Sequence, residues 1–565
     1  MPFGFHLFAR QGADRRRQMR LTDMVPIVFN VARLARWRAA SKKPLDIGRN
    51  YHPANDDRFM SAARAASLIH SYDVLVLTGL GATGWTPAMM QAIAARHSEL
   101  LGLTLIAIAG QGGRDRLDGS GDDLALYPGL LGELITGHAE TFRRCLKAAE
   151  RDKRLKISLI PQGALSRLIQ AKAQGMKTFR TKAGIGTFVD PRWGTGTIVA
   201  NTDKQWVRIV DGELEYDCPD NNMVVIINAT AVDDRGNVYV HECALLGEMK
   251  NASLAAKRHG GKVIVQCGSV QEYRPDEIYI PGNMVDAIVV RPETPQTLCY
   301  TQRRPNRSLV VGSKADLRRS LAIVKAINRV AGFTPKRSKD DLMLAKAAAV
   351  VVADSINGSH NLIVGVGMPE EAAVQLALAG VLQRLRMMVE SGPIGGIAAS
   401  GALFGCMFLP EELVESCEAF ARIESGEGGI VAVLGALEID FRGNVNLSRK
   451  AKGILGTVGP GGSTVIIDGA KTIVFVMHLF NGKSLRVVEN VSEVTFSASQ
   501  ALNDGKEVYY VTDVGVFYLT KDGLELINLM PGVSLKEARA IMPFDFKAQT
   551  NVSGLETNIA LRLSI

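Results

Sequence analysis

At 565 residues the chain exceeds what one hydrophobic core can organise and carries roughly three or four domains' worth of sequence. Hydrophobic residues at 47% and charged residues at 22% exclude a disordered chain. The formal charge of +9 (66 basic against 57 acidic residues) is a mild excess that a solvated surface or a phosphate-bearing small molecule accounts for, and no aromatic-interleaved basic stripe marks nucleic acid as a partner.

Residues 1–68 read as an N-terminal extension. Arg10, Arg15, Arg16, Arg17 and Arg20 suggest a transit peptide, but serine is absent there and Asp14 interrupts, so the expected location is the cytoplasm. From Asp73 onward, strand-like runs alternate with helical ones, which predicts an α/β fold with mostly parallel sheets. Asp73–Leu77 reads as a buried strand and Pro87–Arg96 as a helix. Leu103–Ile108 is a second strand ending in Gly110-Gln111-Gly112-Gly113, and Lys156–Ile160 a third ending in Pro161-Gln162-Gly163. Strand after strand runs into glycine at its carboxyl end, the edge where open α/β sheets hold ligands.

Between the first strand and its helix, Gly79-Leu-Gly-Ala-Thr-Gly84 fits the Gly-x-Gly-x-x-Gly of a dinucleotide site. The second strand, however, ends in Gly110-Gln111, with no acid for ribose hydroxyls, and Pro87 lengthens the turn. A glycine-rich wall that lets backbone approach a ligand is the better account.

Val232-Asp-Asp-Arg-Gly-Asn-Val238 recurs as Ile439-Asp-Phe-Arg-Gly-Asn-Val445, with Gly236 and Gly443 standing 207 residues apart. Lys262-Val-Ile-Val and Lys471-Thr-Ile-Val nearly keep that offset, 209. Leu77-Thr-Gly-Leu-Gly and Ile363-Val-Gly-Val-Gly stand 286 apart, so the first copy holds roughly 80 additional residues. The chain therefore divides into two related α/β halves, 69–305 and 339–550, joined by a linker region, 306–338, and followed by a tail, 551–565. Each Asp-x-x-Gly-Asn element reads as a hairpin turn, because Gly and Asn tolerate positive φ.

Other chemistries find little support. Seven scattered cysteines form no C-x-x-C pair, and His241-Glu242 lacks the second histidine of a zinc site, so no metal is expected. No G-x-S-x-G elbow occurs. Gly453–Gly462 is glycine-dense but lacks the Gly-Lys-Ser/Thr of a P-loop, which leaves it as a loop of exposed amides. The longest uncharged stretch, Ser391–Pro410, contains five glycines and two prolines and reads as loop, so no membrane span is expected. Immediately before it, the apolar run Leu385-Arg-Met-Met-Val ends in Glu390 followed by Ser-Gly-Pro-Ile-Gly-Gly396. A carboxylate fixed beside unshielded amides could serve acyl transfer, as nucleophile next to oxyanion donors, or be an ordinary glutamate at the end of an element.

Val389-Glu-Ser-Gly-Pro-Ile-Gly-Gly396 resembles the catalytic segment of family I CoA-transferases, written Ser-Glu-Asn-Gly or, in the acetate/propionate CoA-transferase branch, Glu-Ser/Ala-Gly with Gly-Gly following. That branch fuses both halves in one chain. Gly365-Val-Gly-Met-Pro369, Leu434-Gly-Ala-Leu437 with Asp440 and Gly443-Asn444, and Gly459-Pro-Gly-Gly462 occur in the family's order. So do Ile160-Pro-Gln-Gly163 and Gly184-Ile-Gly-Thr-Phe-Val-Asp-Pro191, and the tail Val488–Phe546 is also similar. The resemblance covers about 70 to about 548. One departure is Thr78-Gly-Leu80, where the family has Gly-Gly-Phe; that turn shapes the acyl pocket and so bears on substrate preference.

The resemblance implies two CoA-transferase halves, with Glu390 as nucleophile in a ping-pong reaction through an acyl-glutamyl anhydride and a glutamyl-CoA thioester. Gly392, Gly395, Gly396, Gly459, Gly461 and Gly462 are oxyanion or CoA-binding candidates, and Gly79, Gly81, Gln111, Gly365 and Gly367 are substrate-pocket candidates. CoA enters as substrate with no tightly bound cofactor. The partners expected are short-chain acyl-CoA and carboxylates (acetate, propionate, butyrate or acetoacetate), with a homodimer or homotetramer as the assembly. An acyl-CoA hydrolase on the same scaffold and a dinucleotide-binding oxidoreductase are the rival readings.

Overall fold

Strands with Val, Ile or Leu at nearly every position need apolar cover on both faces, which an open parallel sheet between helical layers supplies. The computed structural model describes residue 32 and residues 45–556, apart from 53–54, 82, 112–118, 295, 297–304, 318, 323–324, 327–335 and 357. It contains two such sheets. The first comprises β1 (Val74–Leu77), β2 (Leu103–Ala107), β3 (Leu131–Thr136), β4 (Lys156–Leu159), β5 (Ile198–Ala200), β6 (Met223–Asp233), β7 (Lys262–Gln271) and β8 (Ala287–Val290). Their order is β8-β7-β6-β1-β2-β3-β4-β5, parallel except for β5. Alternate residues feed two cores: Val74, Val76, Ile227 and Val265 on one face, Leu75, Leu77, Ile226 and Ile264 on the other.

The second sheet comprises β9 (Asn361–Val364), β10 (Arg386–Met388), β11 (Pro393–Ile394), β12 (Glu412–Leu413), β13 (Ile430–Gly435), β14 (Thr472–Val476), β15 (Glu507–Val511), β16 (Gly515–Thr520), β17 (Gly523–Leu529) and β18 (Lys547–Gly554). Its order is β12-β11-β10-β9-β13-β14-β15-β16-β17-β18. The run β15-β14-β13-β9-β10 repeats the parallel run β8-β7-β6-β1-β2, so the two halves share one topology. The additional residues of the first half build β3, β4 and β5 and a separate three-stranded layer, Phe179–Thr181, Val207–Val210 and Glu213–Tyr216.

Both repeated turns are hairpins closed by their aspartate. Asp233 accepts from the Arg235 and Asn237 amides and from the Asn237 side chain; Asp440 accepts from the Arg442 and Asn444 amides and from the Asn444 side chain. Gly236 and Gly443 hold φ of +78° and +89°, which a side chain would strain.

Two expected boundaries move, and the linker region proves to be packed. The first half begins well before 69: Phe59 bridges to Ile288, and Met60, Ala62, Ala65, Ala66 and Ile69 are buried. The polar stretch before Phe59 obscured this in the sequence. The last strand runs to Gly554, past the boundary at 550. The linker region is no free tether, because Leu309, Leu317 and Leu321 pack with Trp85 of the first half and Ala399, Cys406 and Phe408 of the second. Residues 1–31 and 557–565 lie outside the described residues. Among the described residues no helix is long and apolar enough to cross a membrane.

Helices cover the sheets and the seam between halves. The ones that matter below are α1 (Pro87–Ala95), α2 (Gln162–Ala173), α3 (Met249–Arg258), α4 (Lys339–Asp354), α5 (Met368–Leu378), α6 (Ser416–Glu424) and α7 (Ser463–Gly469). Helix α4 opens with a capping box, Ser338 with Asp341. Asp341 also meets His478 Nε2 at 2.8 Å, while Asp513 meets Nδ1 at 2.6 Å. These contacts pin the start of α4 to the end of β14 and raise the His478 pKa to about 9, mainly through the Asp513 hydrogen bond, against the opposing effect of burial. A raised histidine pKa means that this stabilisation is complete below the unfolded value and lost as pH rises through the folded one. The melting temperature should therefore fall as pH rises from the ordinary histidine value, 6.5, to about 9, and His478→Gln should remove that fall. Thermal melts of both proteins across this range check it.

Candidate active site

The parallel core brings the ends of β9 and β10 to one sheet edge. Asn361 pairs with Arg386 and Ile363 with Met388, so Gly365 and Glu390 follow at the same level on neighbouring chains. Glu390 stands at the tip of the β10–β11 hairpin. There the Val389 amide donates to Pro393 O (3.0 Å) and the Gly392 amide to Val389 O (2.9 Å). Gly392 holds φ of +119°, and a Cβ on it would fall 2.1 Å from Val414 O, so this turn admits glycine alone. Ser391 is fully buried, and its hydroxyl donates to Gly405 O at 2.6 Å, tying the tip to the hairpin that follows.

Glu390 itself is half-buried. Loss of water raises its pKa above the usual carboxylate value, opposed by a hydrogen bond from its own amide. Gly462 lies against it: a Cβ there would sit 3.3 Å from Glu390 Cγ and 3.2 Å from Phe420 Cε1. Phe420, on α6, is fully buried and forms the apolar floor.

The first half supplies the opposite wall. A Cβ on Gly81 would meet Phe404 Cδ1 at 2.5 Å, and one on Gly405 would meet Leu80 Cδ1 at 2.6 Å. A Cβ on Gly84 would fall 2.1 Å from Thr78 O, so the Gly79–Gly84 loop is folded on itself. It is covered by Phe404, where a dinucleotide cradle would need open space. The Gln111 amide group donates to Thr78 O at 2.7 Å, which fixes Gln111 beside this turn. Gly367 caps α5, and its Cβ direction meets nothing within 4 Å.

The glycine amides are not equivalent. Those of Gly392, Gly395 and Gly396 donate to Val389 O, Met387 O and Met407 Sδ, and those of Gly459 and Gly461 donate to Ser448 O and Gly137 O. Gly462 has no acceptor for its amide among the described residues. The loop 459–462 docks on the first half through the Gly461 amide to Gly137 O and the Gln162 amide to Gly461 O, both 2.9 Å.

Several contributing residues escaped the sequence reading. Phe420 and Ser416 carry no local motif, because their position depends on how the halves meet. Gln162 and Gly163 were visible as a motif without a role; a Cβ on Gly163 would strike Val465 Cγ2 at 2.5 Å and Phe420 Cδ1 at 2.9 Å, so this pair is where α2 meets α6 and α7. Glu248 follows a short apolar run and a glycine, Ala244-Leu-Leu-Gly-Glu248, but no glycines follow it as they follow Glu390, so nothing local marked it.

Comparison with known proteins adds four likenesses. The Coenzyme A transferase family profile matches residues 59–291. The chain is 28% identical over 511 residues to caffeate CoA-transferase of Acetobacterium woodii, covering 85% of this chain and 93% of that protein. It is also 28% identical over 510 residues to acetate CoA-transferase YdiF of Escherichia coli K12, covering 85% and 90%. Its fold matches the crystal structure of acyl-CoA transferase YdiF of E. coli O157:H7 in thioester complex with CoA, with a TM-score of 0.75, 24% identity and coverage of 88% of this chain and 95% of that one.

Gly462→Ala is expected to displace Glu390 by a few tenths of an ångström without straining the backbone, whose φ there is −85°. Turnover should drop by about fivefold, while the melting temperature shifts by less than about 2 °C. Steady-state kinetics beside a thermal melt will separate the two.

Proposed function

We propose that this chain, a member of the coenzyme A transferase family, moves CoA between a short-chain acyl-CoA and a free carboxylate through covalent intermediates on Glu390. The single observation that carries the reading is the half-buried carboxylate on the hairpin tip, with its pKa raised by burial and glycine packed against its Cγ. A carboxylate short of water is a better nucleophile than a hydrated one, and the seam around it keeps water from the intermediates.

The Glu390 carboxylate attacks the thioester carbonyl; the C–S bond breaks, giving an acyl-glutamyl anhydride and CoA thiolate. The thiolate then attacks the glutamyl carbonyl, forming a glutamyl-CoA thioester and releasing the first carboxylate. The acceptor acid runs the same steps in reverse, so thioester energy is conserved and no ATP is consumed. The amide of Gly462 is the donor best disposed toward oxyanions forming at Glu390, since the other candidate glycines already donate within the protein. Gly79, Gly81 and Gln111 form the acyl-side wall, and Gly365 and Gly367 the adjoining rim. Leu80, which is buried against Gly405, fills part of that wall and bears on which acyl groups fit. The acids assigned are acetate, propionate, butyrate and acetoacetate, in line with the acetate CoA-transferase likeness.

Incubation with acetyl-CoA and no acceptor should leave CoA covalently on the peptide containing Glu390, detectable by mass, and borohydride should then inactivate the enzyme. Glu390→Ala should neither trap CoA nor exchange it, and Glu390→Asp, its oxygen withdrawn by about one ångström, should lose on the order of a hundredfold in kcat. Full exchange by the alanine variant would refute the reading. Release of CoA from acetyl-CoA at full rate without any acceptor would instead assign a hydrolase.

A further inference from the structure

Glu248, at the start of α3, has 1% of its surface exposed, and its hydrogen-bond partners, Gly79, Ser166 and Ser416, are uncharged. The Gly79 amide donates to its Oε2 at 3.4 Å and the Ser166 hydroxyl to its Oε1 at 3.2 Å. Its third partner is the side chain of Ser416, from the second half, whose amide also donates to Gly247 O at 2.9 Å. Ser416 Oγ lies 3.3 Å from the carbonyl oxygen of Ser391, the residue that follows Glu390. All three serines are fully buried, out of reach of bulk water.

A serine hydroxyl carries one proton to donate. Ser416 therefore serves either the Glu248 carboxylate or the Ser391 carbonyl. We propose that Glu248 is a positioning residue that sets the catalytic hairpin through Ser416. As a neutral acid, Glu248 donates to Ser416 Oγ, and Ser416 donates to Ser391 O, clamping the turn that holds Glu390. As a carboxylate it draws the Ser416 proton to itself, and the Ser391 carbonyl loses that bond. The inference rests on the assignment of Glu390 as nucleophile.

The switch falls within an accessible range. Burial pushes the Glu248 pKa up to about 7, the neighbouring Glu415 adds repulsion, and the hydrogen bonds oppose both. The surrounding titratable and charged groups are Arg167 on α2, Lys250 on α3, Tyr279, and Glu415, Cys417 and Glu418 at the start of α6. Burial raises the pKa of Glu415, Cys417 and Tyr279 as well. Glu415 accepts from the Lys250 and Asn251 amides, the Asn251 side chain and the Tyr279 hydroxyl, so its own bonding does not involve Ser416.

CoA-exchange rates measured from about pH 6 to about pH 8 test the proposal. Ionisation of Glu390 makes the rate rise with pH, whereas ionisation of Glu248 should make wild-type kcat fall severalfold through about pH 7. Glu248→Gln presents an amide donor to Ser416 at every pH, so the falling step should vanish from its profile. Ser416→Ala should also lose the step and lower kcat roughly tenfold, as one buried hydrogen bond is removed, with the KM for acyl-CoA changed by less than about threefold. A wild-type profile without the step, or a Glu248→Gln profile that keeps it, overturns the proposal. Glu390→Ala in the same assay separates the two readings: an active alanine variant removes the nucleophile, whereas an inactive one beside an unchanged Glu248→Gln profile removes the switch alone.

Discussion

The architecture depends on backbone meeting backbone across the seam between the two halves. At Gly81 against Phe404 and at Gly459 against Gly137, a single methyl group would fall inside contact distance of the facing backbone. These approaches pack the two halves closely against each other around the Glu390 hairpin. Close packing of this kind transmits small displacements, since an interior at crystal-like density has no slack in which to absorb them. The glycines are distributed between the halves, so neither half can build this packing by itself.

Three acids share that seam, Glu248 and Glu415 buried and Glu390 half-buried, and each is stabilised differently. Glu415 is ringed by four donors, Glu248 by a backbone amide and two hydroxyls, and Glu390 by little beyond its own amide. Moving a carboxylate out of water is costly, and the cost is offset by hydrogen bonds or by taking up a proton. The gradient from Glu415 to Glu390 runs from structural anchoring toward the reactivity proposed for Glu390. The least satisfied of the three is also the most exposed.

Much of this was legible in the chain itself. The glycine-ended apolar runs located β1, β2 and β4 to within a residue or two, and the repeated Asp-x-x-Gly-Asn turns revealed the duplication that the shared strand order bears out. Glu390 was singled out by the family resemblance of its segment, since its local pattern fits an ordinary glutamate at the end of an element equally well. What remained hidden depends on contacts between residues far apart in sequence. Phe420 approaches Glu390 only because α6 lies on α2, and Ser416 reaches Ser391 only because the hairpin folds back over it. The start of the first half was hidden for another reason, since its one short helix, Ala62–Ala66, is too brief to show a period.

The segment joining the halves has a further consequence. Because Leu309, Leu317 and Leu321 fill the crevice beside Trp85 and Phe408, this stretch acts as mortar as well as leash. A polypeptide severed there would lose its high effective concentration yet keep the greasy surfaces that recognise each other. Its two fragments would assemble by mass action, and dilution alone would switch such a split protein off.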